Sequence, residues 1–116
     1  MSPKTRIKTA DDALEAIEQY ENRLPFFNLQ IEGRTMKFAV PNHKCLYFAT
    51  SLEAREPETN AWIRALPSDA LFFDIGANVG IFSILAAAST DASIVAFEPH
   101  FANYHALVRT VIANGL

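Results

Sequence analysis

The stretch LFFDIGANVGIF, residues 71–82, ends an apolar run with an acid and then places two glycines four positions apart. Gly76 would let the backbone approach a ligand closely, because no β-carbon lies in the way. Asn78 tolerates a positive φ better than most residues, so it can replace a glycine in a tight turn. Gly80 is expected to open a helix whose free N–H groups face a crevice, with Asp74 as an acceptor at the rim. The stretch therefore predicts a ligand-binding loop.

Two familiar glycine loops do not match this stretch. A P-loop needs four residues between its glycines and a lysine after the second, whereas three residues separate Gly76 from Gly80 and Ile81 follows. The dinucleotide fingerprint G-x-G-x-x-G needs a glycine where Asn78 stands. The missing glycine disfavours half of a nucleotide-binding dehydrogenase, which stays open as an alternative.

A second acid, Glu98, ends the next apolar strand, SIVAFE. Nucleotide-binding folds place an acid close to this position, where it accepts hydrogen bonds from ribose hydroxyls. A carboxylate there also disfavours a 2′-phosphate, because the two groups carry like charges. The glycine loop and Glu98 together predict an adenosine site with a non-phosphorylated tail.

The segments FFDIGANVGIFSILAA and IVAFEPHFANYHALVRTVIANGL closely resemble the FkbM family of S-adenosylmethionine-dependent methyltransferases. The first glycine motif of that family reads D-x-G-A-N-x-G, and its second strand typically ends in F-E-P before a helix that closes with N-G. The match covers about residues 70–116. The preceding segments MKFAVPN and EPETNAWIRAL resemble the upstream region of the family more loosely.

The resemblance implies a role for several residues of this sequence. Those expected around the methionine part of S-adenosylmethionine are Asp74, Gly76, Ala77, Asn78 and Gly80. Glu98 would hold the ribose hydroxyls, and Pro99 with His100 would border the adenine. The implied reaction is O-methylation of a hydroxyl group on a sugar or a natural-product scaffold. The resemblance indicates neither the particular acceptor nor a catalytic base.

The hydrophobic pattern predicts the elements that hold this site. ALFFD and ASIVAFE are continuous apolar runs, typical of strands covered on both faces of a parallel sheet. GIFSILAAAS and PHFANYHALVRTVIANG indicate helices; Pro99 can open the second, and Asn114-Gly115 can close it with a left-handed cap. Residues 67–116 are therefore predicted as the first β-α-β-α part of an α/β fold, an incomplete Rossmann-like sheet of the class I methyltransferase type.

Residues 1–66 are expected to precede this sheet as a helix, a small antiparallel meander and a lead-in helix. Thr9 can cap a helix over about Asp11–Leu24. Alternation from Phe27 to Val40 predicts two strands, and CLYFA a third. Pro57 can begin the lead-in helix. The predicted apolar face of the first helix is Leu14, Ile17, Tyr20 and Leu24. The predicted packed face of the lead-in helix is Ala61, Trp62, Ala65 and Leu66.

Enzymes of this class have a sheet of seven strands, so the chain is interpreted as the N-terminal part of a longer methyltransferase. Two parallel strands cannot bury both faces or supply the second wall of a crevice. The isolated chain is therefore expected to be inactive. A non-catalytic fragment, or an interaction module that pairs through an open sheet edge, stays an alternative.

Composition limits the remaining classes of protein. The 116 residues have ordinary globular composition, and a net charge of -3 offers no electrostatic case for binding nucleic acid or an anionic membrane. Cys45 is the single cysteine, which excludes a disulfide framework. The three histidines lack the spacing of metal ligands, so no metal is expected. The N-terminal segment has no apolar signal region, and a cytoplasmic protein is expected.

Overall fold

The computed structural model describes residues 7–116. Within this range the protein is a mixed α/β structure with six helices, one antiparallel strand pair and one parallel strand pair. The elements in chain order are α1 Ala10–Glu21, β1 Phe26–Ile31, β2 Arg34–Ala39, α2 His43–Thr50, α3 Leu52–Arg55, α4 Pro57–Arg64, β3 Leu71–Ile75, α5 Ile81–Ser89, β4 Ser93–Phe97 and α6 Phe101–Ala113. No helix in the described range has the length and apolar character needed to cross a bilayer.

Helix α1 begins at the capping box that the sequence predicts. The Thr9 hydroxyl accepts from the Asp12 N–H, and the Asp12 carboxylate accepts from the Thr9 N–H, both at 3.1 Å. Hydrogen bonds from the Lys8 N–H, the Thr9 hydroxyl and the Thr9 N–H hold the pKa of Asp12 below its usual value. The expected apolar packing is wrong, since α1 has no buried residue. Its large exposed side chains are Leu14, Ile17 and Tyr20.

Strands β1 and β2 form the expected hairpin, in register from Phe26 opposite Ala39 to Ile31 opposite Arg34. The two turn residues, Glu32 and Gly33, have φ values of 50° and 75°, as in the two-residue turns that match strand twist. Period-two alternation is confirmed here, because Ile31, Met36 and Phe38 are buried in the core.

The third strand predicted for CLYFA is wrong, because these residues belong to helix α2. The side chain of Asn42 accepts a hydrogen bond from the Cys45 N–H at 3.0 Å and caps the helix. Cys45 and Ala49, one turn apart, are both buried. The meander is therefore a two-stranded hairpin followed by a helix, and the apolar run marks one face of that helix.

Helix α4 begins at Pro57, as predicted, but packs through a different face. Its buried residues are Asn60 and Ile63, whereas three of the four expected side chains, those of Ala61, Trp62 and Ala65, are exposed. The Asn60 amide donates to the Leu52 carbonyl oxygen at 2.6 Å. This bond satisfies a carbonyl group of the neighbouring helix α3, which explains why a polar residue takes an inward position.

Strands β3 and β4 pair in parallel, from Leu71 beside Ser93 to Ile75 beside Phe97, with α5 as the connection. Phe72 and Asp74 face inward and are buried. The other face of this pair carries exposed apolar side chains, and we call it the open sheet face: Leu71, Phe73, Ile75, Val95 and Phe97. The expectation that two parallel strands cannot bury both faces is confirmed within the described residues.

Side chains near the end of helix α6 form hydrogen bonds with the backbone of strand β2 and hold the helix on the hairpin. The Asn114 side chain accepts from the Lys37 N–H at 2.9 Å and donates to the Lys37 carbonyl oxygen at 2.8 Å. The Thr110 hydroxyl accepts from the Ala39 N–H at 2.9 Å. Gly115, with φ of 68°, ends the helix in the left-handed conformation that was predicted. One hydrophobic cluster contains both Phe38 of the hairpin and Leu85 of α5, so the hairpin and the parallel strand pair with its helix share a core.

Replacing Thr110 with valine should lower the free energy of unfolding by about 1–3 kcal/mol. Thr110 is 1% exposed, so the Ala39 N–H would lose its acceptor in a site that water does not reach. Thr110→Ser retains the hydroxyl and is the matched control. Urea unfolding followed by circular dichroism measures the difference. Equal midpoints for the valine variant and the wild type would contradict this role of the hydroxyl.

Candidate functional site

The loops after β3 and β4 meet at the carboxyl ends of the two strands. The N–H groups of Gly76 and Ala77 both donate to the Phe97 carbonyl oxygen, at 2.9 Å. The Glu98 carboxylate crosses from the second loop to the first and accepts from the Asn78 N–H at 2.6 Å. The glycine loop and Glu98 are separate motifs in the sequence, and in the structure they form one hydrogen-bonded unit.

The glycine loop uses left-handed backbone at three of its five positions. The φ values are 74° at Gly76, 57° at Asn78 and 89° at Gly80. The positive φ expected of Asn78 is therefore confirmed. A β-carbon added to Gly76 would meet no atom within 4 Å, whereas one added to Gly80 would overlap the Leu107 side chain of α6. Gly76 leaves open space beside the loop, and Gly80 permits close packing of α5 against α6.

Asp74 lies beneath α5 rather than at an open rim. Its side chain is 7% exposed, and its Oδ2 accepts a hydrogen bond from the Ser83 hydroxyl at 2.6 Å. The N-cap of α5 is Gly80, and no side chain caps that helix. Asp74 therefore fastens the first turn of α5 to strand β3, and its carboxylate supports the loop from below.

Glu98 is held in place by two backbone donors. Its Oε1 accepts from the His100 N–H at 3.0 Å, in addition to the bond from Asn78 to Oε2. These bonds, first that of His100, hold the pKa of Glu98 below its ordinary value, so the side chain is ionised at neutral pH. A carboxylate has about four acceptor positions, so the two backbone bonds leave capacity for a ligand's hydroxyl groups.

Pro99 and His100 follow on the exposed side of Glu98. The prediction that Pro99 opens the second helix is wrong. Helix α6 begins at Phe101, with His100 as its N-cap. The His100 and Phe101 rings stack at 5.6 Å with an interplanar angle of 14°. A flat, exposed pair of rings next to an ionised carboxylate suits a planar heterocycle attached to a diol.

A cleft of about 180 Å³ lies beside the glycine loop. Its lining combines loop residues with side chains from the N-terminal half of the chain: Phe48, Arg55, Glu56, Gly76, Ala77, Asn78, Ile81 and Phe82. Phe48 was not predicted as a site residue, because the segment that forms α2 has the apolar pattern of a strand, and Arg55 and Glu56 were not predicted either. The sequence feature that could have indicated Arg55 and Glu56 is this pair of opposite charges directly before Pro57. Larger depressions, of about 400 and 440 Å³, contain none of the eight predicted site residues.

The chemistry available at this site is that of backbone donors, the carboxylates of Glu56 and Glu98, and the Arg55 guanidinium. Among residues 7–116 there is no group of three or more His, Cys, Asp or Glu side chains that could hold a metal ion. Comparisons of the chain with protein-family models, with curated proteins and with solved structures found no match.

Proposed function

We propose that this chain contributes the first part of the cofactor site of an S-adenosylmethionine-dependent methyltransferase of FkbM type. The observation that carries the proposal is the bond from the Asn78 N–H to the Glu98 carboxylate. It holds the Glu98 carboxylate at a loop whose backbone is open at Gly76, which supports a role for Glu98 as the diol acceptor. The acceptor we propose is a hydroxyl group of a sugar or natural-product scaffold, and the proposed location is the cytoplasm.

The residues present fit this cofactor. Glu98 has acceptor positions left for both ribose hydroxyls, and Pro99 with His100 offers an exposed surface for the adenine. The backbone at Gly76 and Ala77 lines the cleft where the methionine part would lie, and Asp74 and Gly80 fix the loop from behind. When bound, the cofactor supplies an electrophilic methyl group. This part of the chain binds and orients it, and we assign no catalytic base.

A Rossmann-like sheet is part of the proposal. The parallel pair, its helical connection α5 and a ligand loop at the carboxyl ends of the strands support it. The open sheet face supports the further proposal that additional strands or helices complete the fold, because an all-parallel sheet is normally covered on both faces.

A second candidate function is that of an interaction module. It is favoured by the open sheet face alone, whose five apolar side chains are adjacent on two paired strands. Contiguous exposed apolar surface often marks a contact with another protein. This candidate gives no reason for the bond between Glu98 and the glycine loop, so we place it second.

Calorimetry on the full-length product of the gene tests the proposed function. The protein should bind S-adenosylhomocysteine and should not bind NAD, because Asn78 stands where the dinucleotide fingerprint needs a glycine. Binding of NAD alone would favour the dehydrogenase alternative. Binding of neither ligand would contradict the proposal.

Replacing Gly76 with valine should abolish S-adenosylhomocysteine binding while the fold is retained. A β-branched side chain at φ of 74° strains the loop by about 1–2 kcal/mol and fills the space beside the cleft. Gly33→Val is the matched control, since Gly33 has φ of 75° and equally open surroundings but lies in the hairpin turn. Normal binding by Gly76→Val would show that this glycine serves only the turn.

A further inference from the structure

The cleft beside the glycine loop is lined by Arg55, whose guanidinium forms no ion pair within the described part of the chain. Arg55 ends helix α3, and its guanidinium carbon lies 4.3 Å from the centre of the Phe48 ring. Its Nε is buried and has no hydrogen-bond partner among the described residues. The carboxylates of Glu32 and Glu53 are paired with Arg64. A ligand carboxylate would satisfy this guanidinium.

Two further features of the cleft select a zwitterion over a simple anion. Glu56 follows Arg55 on the wall of the cleft and carries the opposite charge. Its Oε2 accepts from the Thr59 hydroxyl at 3.2 Å, which orients the carboxylate. A phosphate would be repelled by this carboxylate, whereas an ammonium group would be attracted. Asn78, which also lines the cleft, has a buried Oδ1 without a partner in the described range and is a second potential acceptor.

We propose that Arg55 binds the carboxylate, and Glu56 the ammonium, of the α-amino-acid end of the cofactor. This inference rests on the proposed function and deepens it, because it adds two charged side chains from the N-terminal half of the chain. The Phe48 ring, which also lines the cleft, lies against the guanidinium and limits its motion. The planar edge of a guanidinium forms paired hydrogen bonds with a carboxylate.

Two ligands that differ only at the amino-acid end test this assignment. S-adenosylhomocysteine carries the α-amino-acid group, and 5′-methylthioadenosine keeps the adenosine and the thioether without it. In the full-length gene product, Arg55→Met should weaken S-adenosylhomocysteine binding by about 10- to 100-fold and leave methylthioadenosine binding unchanged. Arg55→Lys, which keeps the charge but loses the planar fork, should give an intermediate loss for S-adenosylhomocysteine alone.

Lys44→Met is the matched control, since the Lys44 Nζ lies 5.7 Å from the centre of the same Phe48 ring but outside the cleft. This variant should bind both ligands as the wild type does. Equal losses for both ligands in Arg55→Met would show that Arg55 only supports the fold, and an unchanged affinity for S-adenosylhomocysteine would also overturn the inference. A wild-type protein that binds neither ligand would overturn the proposed function, and the inference with it.

Discussion

Glu98→Ala in the full-length gene product should weaken S-adenosylhomocysteine binding by about 2–4 kcal/mol, or roughly 30- to 1,000-fold. The substitution removes both proposed diol acceptors. It also removes the acceptor of the Asn78 N–H, so the glycine loop loses one of its hydrogen bonds to the segment that ends β4. Isothermal titration calorimetry measures the effect. Glu15→Ala, on the exposed surface of α1, is the control for removal of a carboxylate. Unchanged affinity in Glu98→Ala would exclude the ribose assignment.

Calorimetry of S-adenosylhomocysteine binding at several pH values tests whether the affinity depends on the ionised form of Glu98. Its pKa is lowered chiefly by the hydrogen bond from the His100 N–H. A lowered folded-state pKa means that the stabilising contribution of the carboxylate is complete above the unfolded-state value, about 4.3, and is lost as the pH falls through the lowered value. The part of cofactor affinity that depends on Glu98 should therefore stay constant above about pH 6 and fall only on strong acidification.

A polypeptide of residues 1–116 should self-associate and should transfer no methyl group. On the open sheet face Ile75 is 77% exposed, and its four apolar neighbours on that face are exposed as well. Burial of such a surface between copies is favourable at about 25 cal/mol per Å². The cofactor would have only one wall of its pocket, so much of the roughly 7–11 kcal/mol that orientation can contribute to transfer would be lost.

Size-exclusion chromatography with light scattering measures this association against the 12.9 kDa mass of one chain. The double substitution Phe73→Thr with Ile75→Lys, confined to the open sheet face, should shift the sample toward monomer. The control substitution Leu14→Thr with Ile17→Lys, on the exposed surface of α1, should not shift the sample toward monomer. A monodisperse monomer of unsubstituted residues 1–116 that methylates a hydroxylated acceptor would show that this part of the chain needs no further elements.

The elements that local signals define were predictable from the sequence. The Thr9 capping box, the alternation of the hairpin and the glycine at the end of α6 each depend on neighbours in the chain, and each is confirmed. Helix α2 was not recognised, because a short apolar run has the same appearance in a strand and on one side of a helix.

The candidate site was predictable only in its backbone geometry. The left-handed conformation of Asn78 follows from its side chain and the glycines around it, and the structure has it. The burial of Asp74 under α5 depends on Ser83, whose hydroxyl meets it only after the helix packs. Arg55 reaches the cleft because α2 and α3 turn the chain back toward the glycine loop, and no local pattern encodes that path.

The bonds between Asn114 and Lys37 have a consequence for synthesis on the ribosome. The two residues are 77 positions apart, and translation proceeds at about 5–20 residues per second, so roughly 4–15 s pass between their additions to the chain. During that interval β2 has been synthesised, but its outer edge lacks the side chains of Thr110 and Asn114 that bond to it in the folded protein. An unpaired edge is a template for pairing with other chains. Nascent copies of this protein are therefore most vulnerable to misassembly in the seconds before α6 emerges.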